Sequence, residues 1–224
     1  MRVNDFSGNT RRMLHAASFP FFDIQVGGGH LTRGVLIALF VVVLLGVQGC
    51  ASRPPDTFIL TEPPAVGGQN ARNRQLLVAA PSAVKALDGE QIVVRTTQAS
   101  IRNLSQSRWA DRLPALVQDR LIQAFERSGR LGGVGRPGEG LAIDYQLTTS
   151  IRSFEIVVAQ NRNEALVEIS ARILDDRNGI VVAQNVFTAR AAVSGAGSEA
   201  SVLALNAAFG QVVSDMVSWT LARM

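Results

Sequence analysis

Four groups of residues in this chain of 224 carry side chains capable of chemistry or recognition. Cys50 is the only cysteine and follows an apolar run, so its thiol is placed to accept a thioether-linked lipid. Gly133-Val134-Gly135-Arg136-Pro137-Gly138 has the GxGxxG spacing of a loop that cradles a pyrophosphate. Asp175 and Asp176 are adjacent carboxylates, the minimum from which a cation site starts. Arg108, Trp109 and Arg112 combine the residue types that most often anchor protein interfaces.

The cysteine is the most informative of these. Arg33 precedes the 13 apolar residues Val35 to Val47, and Gly49 directly precedes Cys50. A basic flank, a short apolar core and a small residue at the cleavage point make a secretory signal. The core is short for a transmembrane helix, which needs about 20 residues. Val47-Gln48-Gly49-Cys50 resembles a lipobox, in which cleavage leaves the cysteine as the lipid-bearing first residue. Each buried methylene of such a lipid contributes about 0.8 kcal/mol, so several chains hold firmly. The rival reading is an uncleaved anchor with a chance cysteine. Met13 is an alternative internal start that would shorten the basic leader.

The glycine run requires a strand before it and a helix immediately after it to bind a nucleotide. Here a helical pattern precedes it and a strand pattern follows, so it reads as a helix-to-strand connection. Asp175 and Asp176 sit in Asp175-Asp176-Arg177-Asn178-Gly179, where a solvated hairpin turn is the simpler explanation. For Arg108, Trp109 and Arg112 the simpler reading is that Trp109 covers a sheet edge and Arg108 pairs with Asp111.

Composition narrows the chemistry further. Residues 50–224 carry 18 Lys plus Arg and 16 Asp plus Glu, and both histidines, His15 and His30, precede Cys50. The processed chain would hold no histidine and no second cysteine. That leaves no Cys/His zinc site, no intrachain disulfide and no histidine-based triad. The expectation is no catalytic residue, no cofactor and no metal. With a net charge of +2 and no basic stripe, nucleic acid is not an expected partner either.

The elements that must position these residues follow from periodicity. Residues 51–75 hold Pro54, Pro55, Pro63, Pro64, Gly67 and Gly68 and read as a flexible tether with one apolar island, Phe58-Ile59-Leu60. Strands are expected over 76–80, 92–96 and 100–104. A helix follows with Trp109, Leu113, Leu116, Val117, Leu121, Ala124 and Phe125 on one face, ending at Gly129. Leu141, Ile143, Tyr145, Leu147, Thr149 and Ile151 alternate as in a strand with one buried face. The phase then shifts to Phe154, Ile156 and Val158, which predicts a bulge near Arg152-Ser153. Strands 165–174 and 180–191 complete a meander, and a second helix runs from Ser198 to about Leu221. The expected fold is α+β: a two-layer sandwich with a mostly antiparallel sheet and two long helices on one face. The domains expected are a signal peptide over 1–49, the lipidated cysteine and tether over 50–75, and one folded domain over 76–224.

These segments, taken in order, resemble the ABC-type transport auxiliary lipoprotein family, the PqiC-like components of MCE transport systems. The resemblance rests on Phe58-Ile59-Leu60, Ile92-Val93-Val94-Arg95-Thr96, Arg108-Trp109-Ala110-Asp111-Arg112-Leu113-Pro114 and Leu121 to Glu126. It continues through Tyr145-Gln146-Leu147, Ile151-Arg152-Ser153-Phe154, the hairpin Glu168 to Val182 and Asn206-Ala207-Ala208-Phe209. Phe58 stands where the family usually has tyrosine. The resemblance implies a non-catalytic, lipid-anchored accessory beside an MCE-domain protein and its permease and ATPase, moving lipids, phospholipids foremost, across the envelope. It also implies anchorage at the periplasmic face of the outer membrane, with which Ala51 after the cysteine agrees. A second functional expectation is a lipoprotein that binds a lipid or glycan itself, and a third is a structural envelope lipoprotein.

Overall fold

The computed structural model describes residues 34–35, 54–140, 142–158 and 162–224. Cys50 and the signal segment's apolar run beyond Val35 lie outside them. The compact unit spans Ser52–Met224.

Among the described residues nine strands form one sheet: β1 (Asp56–Phe58), β2 (Ala71–Val78), β3 (Ser82–Ala83), β4 (Gln91–Thr97), β5 (Ser100–Trp109), β6 (Leu131–Gly135), β7 (Tyr145–Val157), β8 (Glu164–Asp175) and β9 (Val181–Ala192). Two helices cover it, α1 (Leu113–Ser128) and α2 (Gly197–Leu221). The 13-residue β7 is the spine. One of its edges pairs along its whole length with β8. The other pairs in turn with β2, β3 and β4, so the sheet forks. β2 leads on to β6, whereas β4 leads through β5 to β1.

The fold class is as the sequence predicts, with one refinement. The long meander β7-β8-β9 and the β4-β5 hairpin are antiparallel. The short strands pair in parallel: β1 with β5, β6 with β2, and β2, β3 and β4 with β7. Parallel neighbours need a long crossover, so their pairing leaves no local turn signal.

Alternation sets the core. Val167, Ile169, Ala171 and Ile173 of β8 face the helices and stand opposite Phe154, Ile151, Thr149 and Leu147 of β7. The register slips between Ile151 and Ser153, placing the predicted bulge where the apolar phase shifts. Without that extra residue, Phe154 would turn to the outer face. The β8-β9 turn closes through the amide of Gly179 donating to the Asp175 carbonyl at 2.8 Å, with Gly179 at φ +70°. α1 carries Pro114 in its first turn and ends at Gly129, left-handed at φ +61°. α2 is apolar around most of its circumference because sheet, α1 and the 60–68 segment enclose it.

β7 starts at Tyr145, whereas alternation was expected from residue 141, itself outside the described residues. Three further expectations about boundaries change. The packed unit begins well before residue 76: Phe58 lies in a strand, Leu60 is fully buried, and the Thr61 amide donates to Asn206 Oδ1 of α2 at 2.9 Å. Proline and glycine there shape a strap rather than a loose tether, held also by Arg120 Nε donating to the Leu60 carbonyl at 2.7 Å. β5 runs five residues beyond Leu104, so Trp109 ends a strand instead of opening a helix. The third change is β6, a strand where a loop was expected. Gly132 permits it, because an added Cβ would overlap the Arg72 carbonyl oxygen of the neighbouring strand.

Candidate partner-docking surface

The β5-α1 junction is built from three segments. The Trp109 amide donates to the Glu90 carbonyl at 2.7 Å, the Ala110 amide to the Phe58 carbonyl at 2.7 Å, and the Leu113 amide to the Gly89 carbonyl at 3.0 Å. β1 and the turn before β4 therefore clamp the residues singled out above.

Those three residues do not share one surface. Trp109 is 1% exposed, and its ring meets Phe154 edge-on at 5.9 Å. Phe154 in turn packs against Phe209 of α2 at 5.6 Å. Trp109 is core, so the candidate docking surface reduces to Arg108 and Arg112. Gln106, at φ +50°, lies in the irregular stretch of β5 that turns the indole inward.

Arg108 and Arg112 are exposed. Arg108 Nη1 lies 3.5 Å from Glu90 Oε2, and its Nε donates to Thr57 Oγ1 at 3.3 Å. Its expected pairing with Asp111 is replaced by these contacts. Arg112 pairs with Asp88, and the Asp111 carboxylate instead accepts the Arg112 amide at 2.6 Å. The patch thus alternates two guanidinium groups with Asp88, Glu90 and Asp111. Sequence reading missed Asp88 and Glu90, which enter through the turn before β4, some 20 residues away in the chain. Exposed pairs of this kind contribute about 0–1 kcal/mol to stability, which leaves their donors available for exchange with a partner.

The remaining motifs settle into structural roles. Gly133 and Gly135 lie in β6, and Pro137 and Gly138 continue into a loop, with no helix N-terminus after them. Asp175 Oδ1 accepts the Arg177 amide at 2.9 Å, and the Asp176 amide donates to the Asp144 carbonyl at 3.0 Å. Among the described residues no three Asp, Glu, His or Cys side chains converge as metal ligands. An open groove of about 430 Å³ lies between the 61–64 strap and α2, lined by Pro63, Pro64, Leu203, Asn206, Ala207 and Gly210 among others.

Residues 58–217 match the family model described as ABC-type transport auxiliary lipoprotein component. The crystal structure of protein XCC0632 from Xanthomonas campestris is similar at 30% identity and a TM-score of 0.66, over 76% of this chain and 94% of that one. An uncharacterized protein whose crystal structure is known aligns at 15% identity and a TM-score of 0.60, a likeness of fold alone. An uncharacterized protein of Bradyrhizobium diazoefficiens is 29% identical over 184 residues, 80% of this chain. The chain spans about half the length of that relative, 49%.

Proposed function

From the chain's membership of the ABC-type transport auxiliary lipoprotein family, we propose that it is a non-catalytic accessory of an MCE-type transport system that moves phospholipids across the envelope. Lipid on Cys50 would hold it at the periplasmic face of the outer membrane. Asp56 already belongs to the sheet, so no more than five residues separate the anchor from the folded unit. At about 3.5 Å per residue the domain would stand within about 20 Å of the membrane surface. Such confinement raises the effective concentration of a docking surface near a membrane-bound partner.

The family match over 58–217 carries this reading. The packing supports it. Trp109, Phe154 and Phe209 fill the centre of the core, and the exposed charge of the β5-α1 junction suits docking better than chemistry. ATP hydrolysis would belong to the partner ATPase. The test is affinity capture of the full-length lipidated protein from detergent-solubilised envelopes. Recovery of an MCE-domain protein with its permease and ATPase, and loss of phospholipid transport on deletion, is the expected result. Recovery of none of them, with transport intact, would overturn it.

The second reading, direct binding of a lipid or glycan, has the groove beside Leu203 in its favour. Leu203 is 59% exposed there. A fluorescent phospholipid that binds the wild type and not Leu203→Asp would favour that reading.

A further inference from the structure

β9 is an outer strand of 12 residues, hydrogen-bonded to β8 on one side alone among the described residues. Its other side is a row of free amides and carbonyls. Natural sheets blunt such edges with proline, lysine, bulges or brevity. β1 has three residues, and β6 has five, of which three are glycine. β9 has neither proline nor lysine, and its one bulge lies at its very start, near Val181 and Val182. Its single charge, Arg190, is drawn back to Glu164 of β8. Ile180, Val181, Val182 and Val186 are all more than 40% exposed.

We propose that β9 pairs with β9 of a second copy of this chain, antiparallel about a two-fold axis, joining two sheets into one. Length and charge favour that occupant. The other open edges are shorter: three residues in β1, five in β6 and the seven of β5 (100–106) that β1 leaves uncovered. Each would leave part of a 12-residue ladder unpaired, whereas a second β9 matches it along its length. A two-fold axis normal to the sheet keeps like faces together, so paired residues come from the same face. The registers that overlap the whole strand centre on Val186 or Phe187. In them Arg190 stands opposite Val182 or Gln184, never opposite its own copy. Val186 meets itself directly or diagonally, within about 8 Å. Val182 lies at least eight residues from its own copy along the ladder, about 27 Å away.

The test uses the full chain in detergent with Cys50→Ala, so that an introduced thiol is the only one. A bismaleimide of about 8 Å reach should cross-link Val186→Cys into a dimer at least tenfold more efficiently than Val182→Cys. Val186→Lys sets like charges face to face and should weaken dimerisation at least tenfold, read by analytical ultracentrifugation, with the melting temperature of the monomer unchanged. Equal cross-linking at the two positions, a monomer at 100 μM, or a ring of more than two copies unaffected by Val186→Lys would each overturn the proposal.

Discussion

The indole of Trp109 meets the ring of Phe154 edge-on, with centroids 5.9 Å apart and planes at 83°. The contact joins the end of β5 to the bulged turn of β7 and, through Phe209, to α2. Edge-to-face pairs contribute about 0.5–1.5 kcal/mol beyond the area they bury. Among the described residues Trp109 Nε1 has no hydrogen-bond partner, so the indole is retained for its volume and not for its N–H.

Trp109→Ala should therefore cost about 3–5 kcal/mol of folding stability. Trp109→Phe should cost distinctly less, because it keeps the aromatic contact and removes the unpartnered donor. Urea unfolding of the three proteins checks the order. An alanine variant as stable as wild type would contradict the core assignment.

A second site of stability lies on the other side of the sheet. Glu155 is 3% exposed, and its Oε1 accepts from Arg95 Nε at 2.8 Å and Nη2 at 2.7 Å. Removing one partner of a buried pair strands the other charge, at about 3–5 kcal/mol. Arg95 reaches solvent, with a side chain 36% exposed, so Arg95→Ala should fall at the lower end. The double replacement Arg95→Leu with Glu155→Leu should recover much of that loss. Thermal denaturation of single and double variants measures the coupling.

Much of this architecture was legible in the sequence. The meander announced itself through strict alternation and Asn178-Gly179, and the bulge through the phase shift between Ile151 and Phe154. The pairings β1-β5 and β2-β6 were not legible, since parallel partners lie far apart in the chain and are short. Trp109 misled because it stands four residues before Leu113, a spacing that also fits a helix face. The ion partners Asp88 and Glu90 had no local signal, as β4 and β5 had first to fold back on each other. The strap 59–68 looked like a tether because proline and glycine content reports missing regular structure, not missing contacts.

Gly132→Ala tests the unexpected strand β6. The added methyl would overlap the Arg72 carbonyl, which is backbone and cannot swing aside. The strands must separate locally, so the β2-β6 amides should exchange with solvent faster. The effect on global stability should be about 1–3 kcal/mol, the range for forcing extra volume into packed structure. Hydrogen-exchange mass spectrometry over 71–78 and 131–135 resolves it, and unchanged protection would refute the close approach. Gly67→Ala, with nothing within 4 Å of its Cβ and no left-handed backbone to strain, is the control for general disturbance.

The anchor has its own test. If Cys50 bears the lipid, mass spectrometry of the membrane-extracted protein should find an acylated N-terminal Cys50. Cys50→Ala should leave the folded unit unacylated, because no other residue can form the thioether. An unprocessed N-terminus retaining residues 1–49 in wild type would favour the uncleaved anchor.

Arg108 and Arg112 decide whether the β5-α1 junction is the docking surface. Both are exposed and both pair with acids across an exposed patch, so Arg108→Ala and Arg112→Ala remove little from the fold. Exposed pairs contribute about 0–1 kcal/mol, and each kcal/mol moves the melting temperature of a domain this size by about 2–4 °C. An interface hot spot replaced by alanine costs about 2 kcal/mol or more, about thirtyfold in affinity. The two effects therefore separate in one experiment. If the proposed MCE-domain partner is captured, affinity for it should fall about thirtyfold for at least one variant, while that variant's melting temperature stays within about 4 °C of wild type. Asp88→Ala frees the Arg112 guanidinium and should leave binding intact or tighten it, if Asp88 competes with the partner for that donor. Unchanged affinity in both arginine variants would move the docking surface elsewhere, and the strap-α2 groove beside Leu203 would be the next surface to test.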